Sequence, residues 1–275
     1  MKLQFYFLLT VLLVVCALVH PVEGHVKTHF LITDSSLWET VISSNSFSNY
    51  TSFEKEWNYL YPWGEDHNGS ARMVASPKDH SFLSLESGNV LHIKSDYITE
   101  DIGTSKQNPN LKIKYRSGAI HAKQFVTVSD MYPVYEVSGD FKAPIVKGSW
   151  PAFWLTSIKG WPPESDILEF KGDSLNWQNT FITPTNAATV KTPIETAQTK
   201  WHQYKAVLKK VNNVDICIYY YVDGKFRGVH RCNFMNRPMW LIINLQMEGS
   251  SGHPGSEITT DYYIKNVIVK RCRQA

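Results

Sequence analysis

Several chemistries are missing from this sequence. Its ten histidines are scattered, none in a His-x-x-x-His pair around a Glu, and no Cys-x-x-Cys occurs, which removes the usual zinc patterns. A Gly-x-Ser-x-Gly nucleophile elbow is absent. Gly249-Ser250-Ser251-Gly252 lacks the lysine and following helix that a phosphate loop needs. Charged residues make up only 19%, with a net charge of +3 and no basic block, so nothing marks a nucleic-acid partner. One long apolar run exists, residues 5–19. It falls short of the ~20 residues that a membrane span requires. No repeat or low-complexity linker divides the remainder.

That run reads as the core of a secretory leader. Lys2 supplies the positive start and Val22-Glu23-Gly24 the small residues for cleavage, giving residues 1–24 as signal peptide and 25–275 as one mature domain. The expectation is a secreted, extracellular monomer without stable membrane association. Asn49-Tyr50-Thr51 and Asn68-Gly69-Ser70 are N-glycosylation sequons, which suits that compartment. With Cys16 in the leader, an odd set remains, Cys217, Cys232 and Cys272; one disulfide plus one buried thiol is the simplest outcome. A two-residue turn at Asp223-Gly224 would set Cys217 opposite His230 and Cys232 opposite Asp215. Those two cysteines are then diagonal, which is poor geometry for a bridge, and Cys272 stays open as a partner for either.

Aromatic residues are plentiful at 13%, and short alternating stretches recur between turn signals. Strands are expected at 89–95, 112–124, 134–143, 179–184, 204–210 and 262–271, with 215–222 and 225–230 as a hairpin. Within 239–247, Trp240, Asn244 and Gln246 share one face and Leu241, Ile243 and Leu245 the other, so one face meets a core and one a cleft. Trp57, Tyr59, Tyr61 and Trp63 also alternate and read as sandwich core, with a sugar platform as the alternative. Residues 37–42 suggest a helical turn, and the polar loop through Asn110 is long enough to overhang a cleft. The pattern is that of an all-β sandwich.

The stretch 164–169 stands apart. Glu164, Asp166 and Glu169 place three carboxylates in six residues, interleaved with Ile167 and Leu168. On a regular strand Glu164 and Asp166 share a face and Glu169 takes the other. One extra residue at Ile167-Leu168, a β-bulge, restores the parity and puts all three together. Crowded carboxyls cannot all ionise, so one keeps a proton while another stays anionic. That division suits glycosidic cleavage by an acid/base and a nucleophile about 5–5.5 Å apart. Flat indoles nearby suit the apolar faces of sugar rings: Trp150 and Trp161 are expected in the cleft with Trp154, and Asn244 and Gln246 as hydroxyl partners.

At these residues the chain resembles glycoside hydrolase family 16. The resemblance runs from about residue 115 to 269. Its most specific part is the bulged Glu-x-Asp-x-x-Glu signature at 164–169. G-S-W-P-A-F-W-L (148–155), Y-R-S-G-A-I-H-A-K (115–123), W-H-Q-Y (201–204), Y-V-D-G-K (221–225) and P-M-W-L-I-I-N-L (238–245) support it. It implies a concanavalin-like jelly-roll β-sandwich of two antiparallel sheets with a concave glycan cleft. It also implies Glu164 as nucleophile, Asp166 as its helper and Glu169 as general acid/base of a retaining endo-β-glycanase. The polysaccharide would be a β-1,3- or β-1,3/1,4-glucan or a β-galactan. A cell-wall transglycosylase and a non-catalytic glycan-recognition protein are the rival readings.

Three departures from the family pattern bear on substrate and metal. Laminarinases tend to carry Arg where this chain has Ala119, and often His in the strand after the acids, where residues 179–183 have none. Both differences leave room for a galactan. Where many members place an Asp serving calcium, the best register here puts Lys265, whose charge would repel the ion. No cofactor and no metal site are expected, with a structural calcium as the alternative.

Overall fold

Period-two alternation of apolar and polar residues runs through most of the chain, and strands follow from it. The computed structural model describes residues 35–107 and 109–274; the expected leader lies outside them. In chain order the strands are β1 (Trp38–Ile42), β2 (Trp57–Tyr59), β3 (Ala71–Met73), β4 (Leu83–Glu86), β5 (Val90–Tyr97) and β6 (Tyr115–Ser117). Next come β7 (Ala119–Ala122), β8 (Val134–Lys142), β9 (Ser149–Ser157), β10 (Glu164–Glu169), β11 (Leu175–Thr183) and β12 (Asn186–Pro193). The last are β13 (His202–Lys210), β14 (Ile216–Val222), β15 (Lys225–Cys232), β16 (Met239–Met247) and β17 (Thr260–Cys272). One short helix, α1 (Tyr50–Glu56), is N-capped by Asn49, whose Oδ1 accepts from the Ser52 amide at 2.9 Å.

Two sheets face each other. One has ten strands in the order β15-β14-β13-β8-β17-β5-β6-β3, with β1 on β17 and β4 on β5; the other has seven, β12-β11-β10-β9-β16-β7-β2. This is the expected jelly roll. Pairing is antiparallel with one exception among the described strands, the parallel pair β3–β6. Between the sheets lie fully buried Phe141, Phe153, Phe170, Tyr204, Leu241 and Ile243. Phe141 meets Phe153 at 4.8 Å between ring centroids, and Phe170 stands edge-on to Tyr204 at 6.3 Å. Each such side chain contributes about 1.5–3 kcal/mol by leaving water.

Several expectations need correction. Residues 38–42 form strand β1, not a helical turn, because pairing with β17 (Trp38 opposite Cys272) claims their backbone groups. The stretch 112–124 is two strands in different sheets, β6 and β7. The chain crosses between them at Gly118, where a Cβ would come within 2.8 Å of the Phe82 carbonyl oxygen. The 57–63 alternation breaks at Leu60, whose φ is +67°. Trp57 and Tyr61 are core as expected, but Trp63 turns outward and is 37% exposed.

No disulfide joins Cys217, Cys232 and Cys272. A bulge at Tyr220/Tyr221 shifts the β14–β15 register by one, setting Cys217 opposite Arg231 and Cys232 opposite Ile216. The two thiols therefore leave opposite faces of the sheet. Strands β13 and β8 separate β14 from Cys272 on β17. At about 4.8 Å per strand that exceeds the ~7 Å Cα separation a disulfide tolerates.

Candidate active site

The bulge forms where the carboxylates need it. Asp166 pairs with Trp154 and Leu168 with Phe153, so Ile167 is the extra residue in β10. Glu164, Asp166 and Glu169 consequently line one cleft on the outward face of the seven-stranded sheet. Beneath them Ser165 reaches inward, its hydroxyl 2.7 Å from Tyr220 OH, which also meets Thr180 Oγ1 at 2.7 Å. Thr180 continues to His230 Nδ1 at 2.9 Å, so a buried polar chain ties β10 and β11 to the opposite sheet.

Each glutamate is gripped by an indole. Trp150 Nε1 donates to Glu169 Oε1 at 2.7 Å, and Trp161 Nε1 donates to Glu164 Oε2 at 2.9 Å. Asn179 Nδ2 bridges the other pair, donating to Asp166 Oδ2 at 2.9 Å and Glu169 Oε2 at 2.8 Å. Thr189 fixes that amide by donating to Asn179 Oδ1 at 2.8 Å. Lys171 Nζ lies 3.1 Å from Glu169 Oε2 and 4.8 Å from the centre of the Trp177 ring.

Burial raises all three carboxyls. Glu164 is pushed up to about 8 by burial and then by the Glu169 charge, against the Trp161 N–H and Lys171. Burial, with Glu169 and Glu164 adding to it, lifts Asp166 well above the usual carboxylate range. Glu169 is also raised by burial, but Lys171, Trp150 and Asn179 pull it back. The three crowded carboxyls therefore cannot all ionise together, and protons are shared among them. Glu164 is nevertheless only half-buried, so cleft water can still solvate its charge, whereas Glu169 is 6% exposed.

The cleft encloses about 770 Å³. The expected face of β16 does line it, with Trp240, Asn244 and Gln246, and so do Trp150, Trp154 and Trp161. Not all of them are free to meet a ligand. Trp154 is 5% exposed and donates to Asn244 Oδ1 at 2.8 Å. Gln246 is committed to the backbone: its Oε1 accepts from the Ala71 and Met247 amides at 2.7 and 2.9 Å, and its Nε2 donates to the Ala71 carbonyl at 3.2 Å. Its amide holds β3 rather than facing a ligand.

Trp63 lines the cleft too, where the sugar-platform alternative would have it, and so do His67, Gln107, Lys171 and Phe181, which were not expected there. Phe181 was legible in principle, since it stands on β11 directly opposite Glu164 of β10. His67, stacked on Trp154 at 5.7 Å, is lowered to about 4 by burial and is neutral. Of the two sequons, Asn49 is exposed at the start of α1, while Asn68 lines the cleft beside fully buried Ser70. The calcium position does not suit a cation. Lys265 stands opposite Asp140, its Nζ 4.3 Å from the centre of the Trp201 ring, and Asp140 accepts from Asn266 at 2.7 Å.

Fold and cleft together define the class, a β-sandwich glycoside hydrolase. No family model matches the chain. It is 45% identical over 236 residues to the galactan endo-β-1,3-galactanase of Flammulina velutipes, a match spanning 84% of this chain and 90% of that protein. A solved non-specific endo-β-1,3(4)-glucanase of family GH16 superposes with TM-score 0.65 at 18% identity, covering 87% of this chain and 92% of its own. The endo-1,3-β-glucanase of Streptomyces sioyaensis gives 0.62 at 20% identity over 87% and 98%. The chain belongs to glycoside hydrolase family 16 and is an endo-acting β-glycanase.

Proposed function

We propose that the protein is a secreted, monomeric endo-β-1,3-galactanase that works by retaining double displacement. The observation that carries the mechanism is the Ile167 bulge, which turns Glu164 and Glu169 into one cleft, each held by its own indole. Glu164, as carboxylate, attacks the anomeric carbon while the bond to the leaving oxygen breaks and that oxygen takes the Glu169 proton. Water then gives a proton back to Glu169, bonds to the same carbon and releases Glu164. Asp166, kept neutral by burial and the neighbouring acids, adds no further negative charge beside the nucleophile. Two carboxyls suffice for this chemistry, and no cofactor enters it.

Galactan is favoured by the Flammulina velutipes relative and by Ala119, which pairs with Asn244 in the cleft sheet where laminarinases tend to carry Arg. In a secreted protein Asn49 is open to glycosylation, whereas a glycan on Asn68 would compete with substrate for the cleft. The test is Glu164→Gln assayed on β-1,3-galactan, laminarin, mixed-linkage glucan, agarose and carrageenan. Wild type should cleave β-1,3-galactan fastest, and the variant should lose turnover while keeping its circular dichroism spectrum. Undiminished activity in the variant overturns the assignment.

A further inference from the structure

We propose that Phe125 and Trp240 form an outlying sugar platform, a second binding site for the same glycan strand beyond the carboxylates. The inference rests on the hydrolase reading and extends it to a region where no chemistry occurs. Trp240 shares a cross-strand row with Thr156 and Glu164, two strands away from the latter. At about 4.8 Å per strand, that is one to two sugar rings from the reacting bond. Phe125 lies one step further out, past the residues that wall the cleft.

The ring is built into place. Its neighbour Val126, 2% exposed, exchanges two backbone hydrogen bonds with Met239 at 2.9 and 3.0 Å, which pins Phe125 beside the start of β16. Trp63, Trp240 and Phe125 then follow one another edge to face, with centroids 6.4 and 6.3 Å apart and planes at 66° and 73°. Two rings near a right angle make a corner. A pyranose can lay its apolar C–H face on one ring while the edge of the other closes its side. Phenylalanine brings no polar atom, so the ligand class is a neutral sugar unit recognised by shape and apolar contact.

A single exposed apolar side chain needs no such explanation. Phe226 supplies the contrast: it is 53% exposed and edge-on to Tyr221 at 5.8 Å, but it sits on the β14–β15 hairpin, in the other sheet. Phe125, 41% exposed, differs in being contiguous with an aromatic string that already lines the cleft. Contact this far from the reacting bond binds ground and transition states alike, so it acts on KM and leaves kcat alone.

The experiment compares wild type, Phe125→Ala, Phe125→Leu and Phe125→Trp on β-1,3-galactan chains of graded length, with Phe226→Ala as control. Phe125→Ala and Phe125→Leu should raise KM on long chains about 3–10-fold with kcat unchanged, and should leave the shortest cleaved oligomer unaffected. Phe125→Trp should keep wild-type behaviour, as should Phe226→Ala. Equal losses at every chain length, or none in either Ala or Leu variant, overturn the platform. If wild type cleaves no β-glycan, the hydrolase reading fails separately. Retardation in a galactan gel, weaker for Phe125→Leu than for wild type, still decides the platform.

Discussion

Strand β14 of the ten-stranded sheet and strand β10 of the seven-stranded sheet differ in what their outward faces must do. In β14, Ile216, Ile218, Tyr220 and Val222 are fully buried, while Cys217, Tyr219 and Tyr221 face out and are only half-buried. In β10 five of six residues are buried, and the outward ones are carboxylates satisfied by Trp150, Trp161 and Asn179. A face turned to water needs only alternation. A face roofed by a cleft must find partners for every polar atom inside the protein, because an unmet buried group costs ~1–3 kcal/mol. The bulge, the gripping indoles and the buried chain beneath Ser165 are the means by which β10 meets that demand.

That contrast can be broken most severely by deleting Ile167. Glu164, Asp166 and Glu169 would still share a face, but the bend that the extra residue puts into β10 and the fully buried Ile167 side chain would both be lost. We expect loss of all activity with a lowered Tm, read by turnover and circular dichroism. Deleting one residue from the exposed β11–β12 turn should be far milder; equal damage would show that the bulge has no special role. A smaller effect is expected from Lys171→Met. The ammonium favours the charged form of Glu169, so its removal raises that group and moves the alkaline limb of kcat/KM to higher pH. The pH profile of kcat/KM is the measurement, and an unmoved limb shows that Lys171 does not tune the acid.

The smallest effect concerns stability. Burial pushes Glu164 up to about 8 in the native state against the ordinary 4.5 of the unfolded chain, so the native carboxyl cluster binds more protons across that window. Stability therefore falls as pH rises from about 4.5 to 8, and Glu164→Gln should remove that fall. Because Glu164 opens to the cleft, the gain near pH 8 is expected to be only about 1–2 kcal/mol, a rise in Tm of a few degrees, and near zero at pH 4. A Tm difference independent of pH would contradict the raised carboxyl.

Local spacing made much of this legible. The parity of Glu164, Asp166 and Glu169 demanded a bulge, and the face shared by Trp240, Asn244 and Gln246 followed from counting by twos. What escaped was set by distant partners. Gln246 is spent on Ala71, 175 positions away, and nothing near it in sequence announces that bond. Cys217 and Cys232 were misplaced by one residue because the Tyr220/Tyr221 bulge, unlike that in β10, carries no charge pattern to reveal it. Trp63 was assigned to the core because Leu60 gives no sign of its positive φ.

The two indole N–H groups clamped to Glu164 and Glu169 also make the molecule its own indicator. A proton arriving on either acid, or a sugar displacing it, changes the acceptor that an indole sees and with it that ring's emission. Fluorescence followed through a pH titration would then report the state of the working carboxyls without a label, and substituting Trp150 or Trp161 in turn would tell which acid is speaking.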